Sequence, residues 1–278
     1  MPIIGSFGAG SARGFGRGGA GFKPMTATGG TITEVGDYKV HTFTSPGTFE
    51  VTEASPDPTG NEVEYLIVGG GGGMGFGYAG AGGAGGYRAA GCGPAPLQGS
   101  NVPTPVASYP IVVGAGGAGG PVMPVGPYSP GSKGADSSGI GLTATGGGYG
   151  GSTPGSAPGG PGGSGGGSGG PGSLGGFVAG GTGNQPPVSP PQGNNGESGP
   201  APEGNQGGGA GAAGASPRTG VTGVTNSIDG TSRKYACGGR SGQGTPNSIS
   251  PRANSGFGGT DQAAAGCSGI VIIRYRIT

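Results

Sequence analysis

The sequence predicts an all-β fold with little or no α-helix: a small antiparallel, sandwich-like β platform carrying glycine-rich left-handed helices packed as a bundle. Three observations predict it. Glycine supplies 80 of the 278 residues and proline 27, while Leu, Ile, Val and Phe together make up roughly 14%, below the ~20% of ordinary globular domains. Three predicted strands run straight into glycine tracts. One glycine-rich stretch keeps an unbroken three-residue phase.

A large conventional core is excluded by that composition. Charge-driven disorder fits no better, because the chain carries a formal net charge of +1 with only 9% charged residues. Glycine loses more backbone freedom on folding than any other residue, so a glycine-built state must recover the loss through main-chain contacts. The near-neutral charge leaves no electrostatic footprint for nucleic acid, and no apolar run is long enough for membrane insertion.

Residues 1–30 read as an N-terminal Gly/Phe/Arg assembly arm, with Phe7, Phe15 and Phe22 at intervals of seven or eight residues and Arg13 and Arg17 between them. The arm has no basic stretch followed by an apolar one, so no secretion signal is expected. Arg13-Gly14-Phe15-Gly16-Arg17-Gly18-Gly19 imitates an RGG-type nucleic-acid segment, yet two arginines are few for that role. Docking of the phenylalanines onto a larger particle is the preferred reading.

Residues 31–278 form the second unit. Its platform is expected from residues 31–68, 109–113, 142–145 and 269–277, and its glycine-rich projections from 69–108, 114–141 and 146–268. Residues 31–35, 38–44 and 48–52 have strand patterns, and Ser45-Pro46-Gly47 predicts a hairpin between the last two, with Phe43 and Phe49 meeting. Residues 62–68, 109–113 and 142–145 are strands that each end in a glycine tract. The last, 269–277, alternates Val271, Ile273, Tyr275 and Ile277 on one face with Ile270, Ile272, Arg274 and Arg276 on the other. Set antiparallel to 62–68, it would place Arg274 and Arg276 opposite Glu64 and Glu62, cross-strand pairs worth about 0.2–1 kcal/mol each.

From Gly160 every third residue to Gly175 is glycine. Three residues is the period of the polyproline II helix, which has no internal hydrogen bonds and must find partners in neighbouring segments. At ~3.1 Å per residue the run would form a rod of roughly 47 Å. A collagen triple helix shares the period, but the phase breaks at Val178 and the other phases are also full of glycine. An unstructured Gly/Pro linker is the remaining alternative.

Chemistry-bearing motifs are few. Residues 65–75 imitate the strand-then-GxGxxG opening of a dinucleotide site, but Phe76-Gly77-Tyr78-Ala79-Gly80 follows in place of a helix. Lys133 is not in a phosphate-binding loop sequence. His41 is the only histidine and falls within a predicted strand, and Glu62 and Glu64 have arginines to pair with. Cys92, Cys237 and Cys267 lack metal or redox spacing and read as free thiols. No catalytic residue, cofactor or metal is expected, and the chain is not expected to be an enzyme.

Tyr38-Lys39-Val40-His41-Thr42-Phe43-Thr44 with Gly47-Thr48-Phe49, residues 64–73, Ala84-Gly85-Gly86-Tyr87-Arg88, residues 111–120, Thr143-Ala144-Thr145-Gly146-Gly147-Gly148 and the closing Ser268-Gly269-Ile270-Val271-Ile272-Ile273-Arg274-Tyr275 follow one another in this order. Together they resemble the glycine-rich domain of bacteriophage tail-fibre and adhesin-type virion proteins. That resemblance implies a virion location, polyglycine II helices, and recognition of a host-surface glycan or outer-membrane protein through the loops between helices. Other virion proteins and further copies of the chain are the remaining partners it implies. Loop residues expected to bind receptor are Tyr128, Lys133, Phe177, Asn184, Gln185, Asn194, Asn195 and Arg240. A purely architectural virion or filament protein and an ice-binding polyglycine II protein are the alternatives.

Overall fold

The computed structural model describes residues 22–121, 129–152, 157–170, 177–199, 204–215, 222–241, 252–260 and 264–278. Its strands are β1 (Thr26–Thr28), β2 (Thr31–Val35), β3 (Tyr38–Phe43), β4 (Gly47–Glu53), β5 (Glu62–Val68), β6 (Tyr87–Ala90), β7 (Val102–Pro103), β8 (Ala107–Ile111), β9 (Ser137–Gly139), β10 (Leu142–Ala144), β11 (Val224–Asn226), β12 (Arg233–Tyr235) and β13 (Ile270–Arg276). The main sheet has the order β2-β3-β13-β5-β6, with β7 also paired to β5, and a second sheet has the order β1-β4-β8. Every pairing between these strands is antiparallel.

β13 sits at the centre of the main sheet because both of its faces are apolar. Val271, Ile273 and Tyr275 pack with Phe43, Ile67, Phe49 and Val51 in the core shared with the second sheet. Ile270 and Ile272 pack with Val40, Leu66, Val68, Tyr87, Val224, Ile228 and Tyr235 on the opposite face, which the β11–β12 hairpin covers. Burial on both sides explains why residues 65–68 and 270–273 are continuous apolar runs without polar alternation.

The expected β3–β4 hairpin does not form. Both edges of β3 are taken, by β2 and by β13, so the chain crosses at Ser45-Pro46 to the second sheet, where β4 pairs with β1 and β8. Phe43 and Phe49 still share one core, but they reach it from facing layers.

Of the two expected ion pairs, one forms. Arg274 is opposite Glu64, with its Nε and Nη2 each 2.6 Å from Glu64 Oε2. Arg276 has Tyr38 as its β3 partner, while Glu62 pairs with Pro103 of β7. The Arg276 guanidinium lies 5.6 Å from the centre of the Phe22 ring, so a cation–π contact replaces the second ion pair.

His41 is fully buried, stacked on Tyr275 at 5.6 Å and edge-on to Phe49 at 5.0 Å. Its Nδ1 donates to the Gly29 carbonyl at 2.8 Å, leaving Nε2 buried with no partner among the described residues. Burial holds its pKa below 6.5, opposed by the Gly29 hydrogen bond and reinforced by the Lys39 charge. Above pH 6.5 the ring is neutral in both folded and unfolded chains. Below it the unfolded chain takes up a proton that the folded one refuses, so stability falls as the pH drops. Thermal melts between pH 7.5 and 5.5 should show this loss, and His41→Phe should flatten it.

The glycine tracts leave the sheets at one end. Residues 69–75 follow β5, 114–120 follow β8, 146–151 follow β10, and 264–269 lead into β13. The tract 69–75 shows how they assemble. Gly69, Gly72 and Gly75 donate their N–H groups to Gly86, Gly83 and Gly80; Gly70 and Gly73 donate to Ala135 and Ser132; Gly71 and Met74 donate to Cys267 and Ala264. Donors three residues apart thus serve the same neighbour, as a three-residue helical turn requires. Carbonyls of the same tract accept from residues 147 and 150, from 117 and 120, and from 259. Six glycine segments therefore surround this one.

The tracts 80–86 and 162–170 are bonded in the same way. Gly80, Gly83 and Gly86 donate to Gly151, Gly148 and Thr145, while Ser164, Gly167 and Gly170 donate to Ala84, Ala81 and Tyr78. Met74, Ala81 and Ala84 are buried within these tracts, but the inward glycine positions have no room for a side chain: a Cβ at Gly72 would lie 2.0 Å from the Gly148 carbonyl oxygen, and one at Gly82 1.9 Å from that of Gly72.

The long rod expected from Gly160 to Gly175 is interrupted within the described residues 157–170, which form short antiparallel pieces; residues 171–175 lie outside the described residues. Gly166 donates to Gly160 and Gly169 to Ala157, so the chain reverses between them. A seven-residue tract spans about 20 Å, and a hexagonal array of such pieces satisfies many more backbone groups than one extended rod.

Candidate functional site

The glycine run after β5 has no free amides for a ligand. Every N–H from Gly69 to Phe76 donates to a neighbouring segment, whereas a phosphate-cradling loop needs those groups open. The resemblance to a dinucleotide site therefore ends at the sequence. Lys133 lies in the tract 129–135, exposed on the flank of the bundle, not in a loop.

Catalytic groups are equally committed. His41 is sealed in the core, and Glu64 is tied to Arg274. Cys92, Cys237 and Cys267 are unpaired thiols. Burial pushes Cys237 up to about 11, opposed by a Gly223 backbone hydrogen bond and the Lys234 charge, and burial also raises Cys267. Neither has the depressed pKa of an activated nucleophile. No group of three or more His, Cys, Asp or Glu among the described residues is placed to hold a metal ion.

The bundle has two ends. Gly69, Gly86 and Thr145 are linked at the end beside the sheets, and Gly75, Gly80 and Gly151 at the far end. The antiparallel pair 69–75 and 80–86 turns at the far end through Phe76-Gly77-Tyr78-Ala79, where Tyr78 is 54% exposed. Gly170, which donates to the Tyr78 carbonyl, and Val178, whose carbonyl accepts from Gly199, belong to the same end. Phe177, beside Val178, is 75% exposed. Two aromatic side chains thus face solvent on a framework held by main-chain hydrogen bonds.

The sequence-derived binding residues are spread over the bundle. Phe177 is at the far end and Arg240 is in the far half, flanked by Gly239, which donates to Gly82, and Ser241, whose hydroxyl donates to the Gly204 carbonyl. Asn184 and Gln185 are near the sheets, donating through their backbones to Gly163 and Gly162. The Asn184 side chain accepts from the Val188 and Gln192 amides and donates to the Val188 carbonyl. Asn194 Nδ2 donates to the carbonyls of Gly209 and Ala210, and Asn195 Oδ1 accepts from Gly183. These asparagines tie one tract to the next.

Tyr128 lies outside the described residues, as do Phe7, Arg13, Phe15 and Arg17 of the arm. Phe22 is described: it is half-buried under Arg276 near Gly60, at the end of the sandwich opposite the bundle. Tyr78 was not singled out by its sequence. The available signal was the equal length of the glycine tracts on either side of it, which is the signature of a hairpin tip.

No curated protein matches this chain. Residues 42–276, which contain β5, β13 and all the tracts described above, match the glycine-rich domain family. The chain belongs to the glycine-rich domain family.

Proposed function

We propose that this protein is a bacteriophage virion component of the tail-fibre or tail-tip adhesin type, which binds a host-cell surface receptor without chemical turnover. The observation that carries the reading is the polarity of the molecule. The chain enters the described body at Phe22, at one end of the sandwich, and the bundle presents Tyr78 and Phe177 at the other. An anchored root and a rigid projecting tip are what an adhesin needs, and a backbone-bonded framework holds the tip with little loss of entropy on binding. Exposed aromatic side chains suit the apolar faces of sugars and of surface proteins.

Purified full-length protein should bind cells of susceptible strains in a bacterial panel. The Tyr78→Ala/Phe177→Ala variant should lose about tenfold or more of that affinity while melting at the same temperature. Failure to bind any strain would favour a purely architectural role among other virion proteins or further copies of the chain.

One flank supports a second reading. Along 112–121 exposure repeats every third residue, with Val112, Ala115, Ala118 and Pro121 outward and Gly114, Gly117 and Gly120 buried. The outward groups form a ladder with a spacing of about 9.3 Å, a regularity that an ice-binding face requires. Thermal hysteresis of the purified protein separates this reading from the adhesin.

A further inference from the structure

A second site lies away from the bundle tip, where the β11–β12 hairpin meets β3 and residues 252–255. Its walls are Thr42 and Thr44, Asp229, Arg233, Lys234 and Tyr235, and Arg252 to Ser255 with Ile270, around a cavity of about 120 Å³. That space is enough for one compact ion.

Arg233, Lys234 and Arg252, three of the chain's 13 cationic residues, are among those that line this cavity, with one acidic residue, Asp229. Asp229 is partly engaged: Oδ1 accepts from the Thr231 amide at 3.0 Å, and Oδ2 lies 3.5 Å from Arg233 Nε on the same wall. That separation holds the two charges together, but Arg233 Nε is buried and donates to no acceptor among the described residues. Arg252 and Lys234 are exposed and have no ion pair among the described residues.

Tyr235 reports the convergence. Burial pushes its hydroxyl up to about 12, the Asp229 charge adds to that effect, and the Arg233 and Arg252 charges oppose it. The charges of Asp229, Arg233 and Arg252 thus act on one point, and the hydroxyl keeps its proton at neutral pH. Thr42, Thr44 and Asn254 add neutral polar groups to the wall.

We propose that this cavity binds one tetrahedral oxyanion, a phosphate or sulfate group, held between Arg233, Lys234 and Arg252. Arginine donors match the oxygens of such a group in pairs, and hydrogen bonds between ions are about twice as strong as neutral ones. The group is either a free ion or a substituent on a glycan, and the recognition chemistry is the same for both. Asp229 acts against the anion but also fixes the Arg233 side chain on the cavity wall. The site does not depend on the adhesin reading, because none of its residues lies at the bundle tip.

The test is titration of the full-length protein with inorganic phosphate and with sulfate at low ionic strength, followed by calorimetry and by amide shifts of residues 229–235 and 252–255. Saturable binding is expected, weakened about tenfold or more in Arg233→Gln/Arg252→Gln and by rising salt, with sodium chloride of equal ionic strength unable to replace phosphate. Lys234→Gln, at an exposed position, provides a second weakened variant should the double variant fold poorly. A phosphorylated oligosaccharide that binds more tightly than inorganic phosphate, and loses that advantage when dephosphorylated, supports a glycan-borne group; equal affinities support the free ion. No saturable binding of either ion, or unchanged binding in the variants, overturns the proposal.

Discussion

Gly72→Ala is expected to destabilise the protein by about 3 kcal/mol or more, at the upper end of what overpacking a core costs. The added methyl would sit 2.0 Å from the carbonyl oxygen of Gly148 and 2.8 Å from that of Gly147. Neither oxygen can yield independently, because Gly83 donates to Gly148 and Gly134 to Gly147. Moving one carbonyl therefore pulls a second tract out of register. Gly36→Ala is the matched control: its φ of +55° is costly for alanine, but nothing lies within 4 Å of the new Cβ. That change should cost only about 1–2 kcal/mol. Denaturant titrations of both variants measure the difference, and equal losses would show that the tract is not close-packed.

The second large effect is expected at Arg274. Its side chain is 13% exposed and that of Glu64 16%. The guanidinium also lies 4.2 Å above the Tyr38 ring and donates to the Ile228 carbonyl at 3.2 Å. It therefore links three strands of the main sheet to the turn that precedes β12. Arg274→Met leaves the Glu64 carboxylate largely buried and unpaired, which should cost about 3 kcal/mol, the low end for a broken buried pair because some solvent remains. Arg274→Met/Glu64→Leu removes both charges and should regain much of the loss. A double variant no more stable than the single one would show that the cation–π and Ile228 contacts, not the ion pair, carry the effect.

The sheet was more legible in the sequence than the bundle. β2, β5 and β13 have strong apolar or alternating patterns, and the structure places them at or within one residue of their expected limits. The pairing of Arg274 with Glu64 follows from the same alternation. The β3–β4 connection misled because Ser-Pro-Gly marks a reversal of the chain without saying whether the next strand joins the same sheet or the facing one. That choice depends on β13, more than 200 residues away, which occupies the edge a hairpin would have used. β1, β6, β11 and β12 are too short, or too poor in β-branched residues, to stand out beside their glycine-rich surroundings.

Within the bundle the three-residue period was visible, but the direction of the chain was not. Glycine tracts are interchangeable at the level of sequence, so nothing local distinguishes a 47 Å rod from two antiparallel pieces. The asparagines show the same limit. A polar amide in a glycine-rich loop is the expected form of a binding residue, yet Asn184 and Asn194 are used to satisfy backbone groups that glycine cannot cap. Tyr78 and Phe177 became recognisable only once the tracts beside them were known to end on the same side.

Main-chain hydrogen bonding as the organiser of the bundle is tested most directly by amide hydrogen exchange resolved by residue. In the central tract, Gly69 to Gly75 should all be protected to an extent comparable with the amides of β13. In the outer tract protection should recur every third residue, slow at Gly114, Gly117 and Gly120 and fast at Ala115 and Ala118. Rapid exchange throughout residues 69–86 would contradict the account, because glycine segments without shared hydrogen bonds would have nothing to hold them in place.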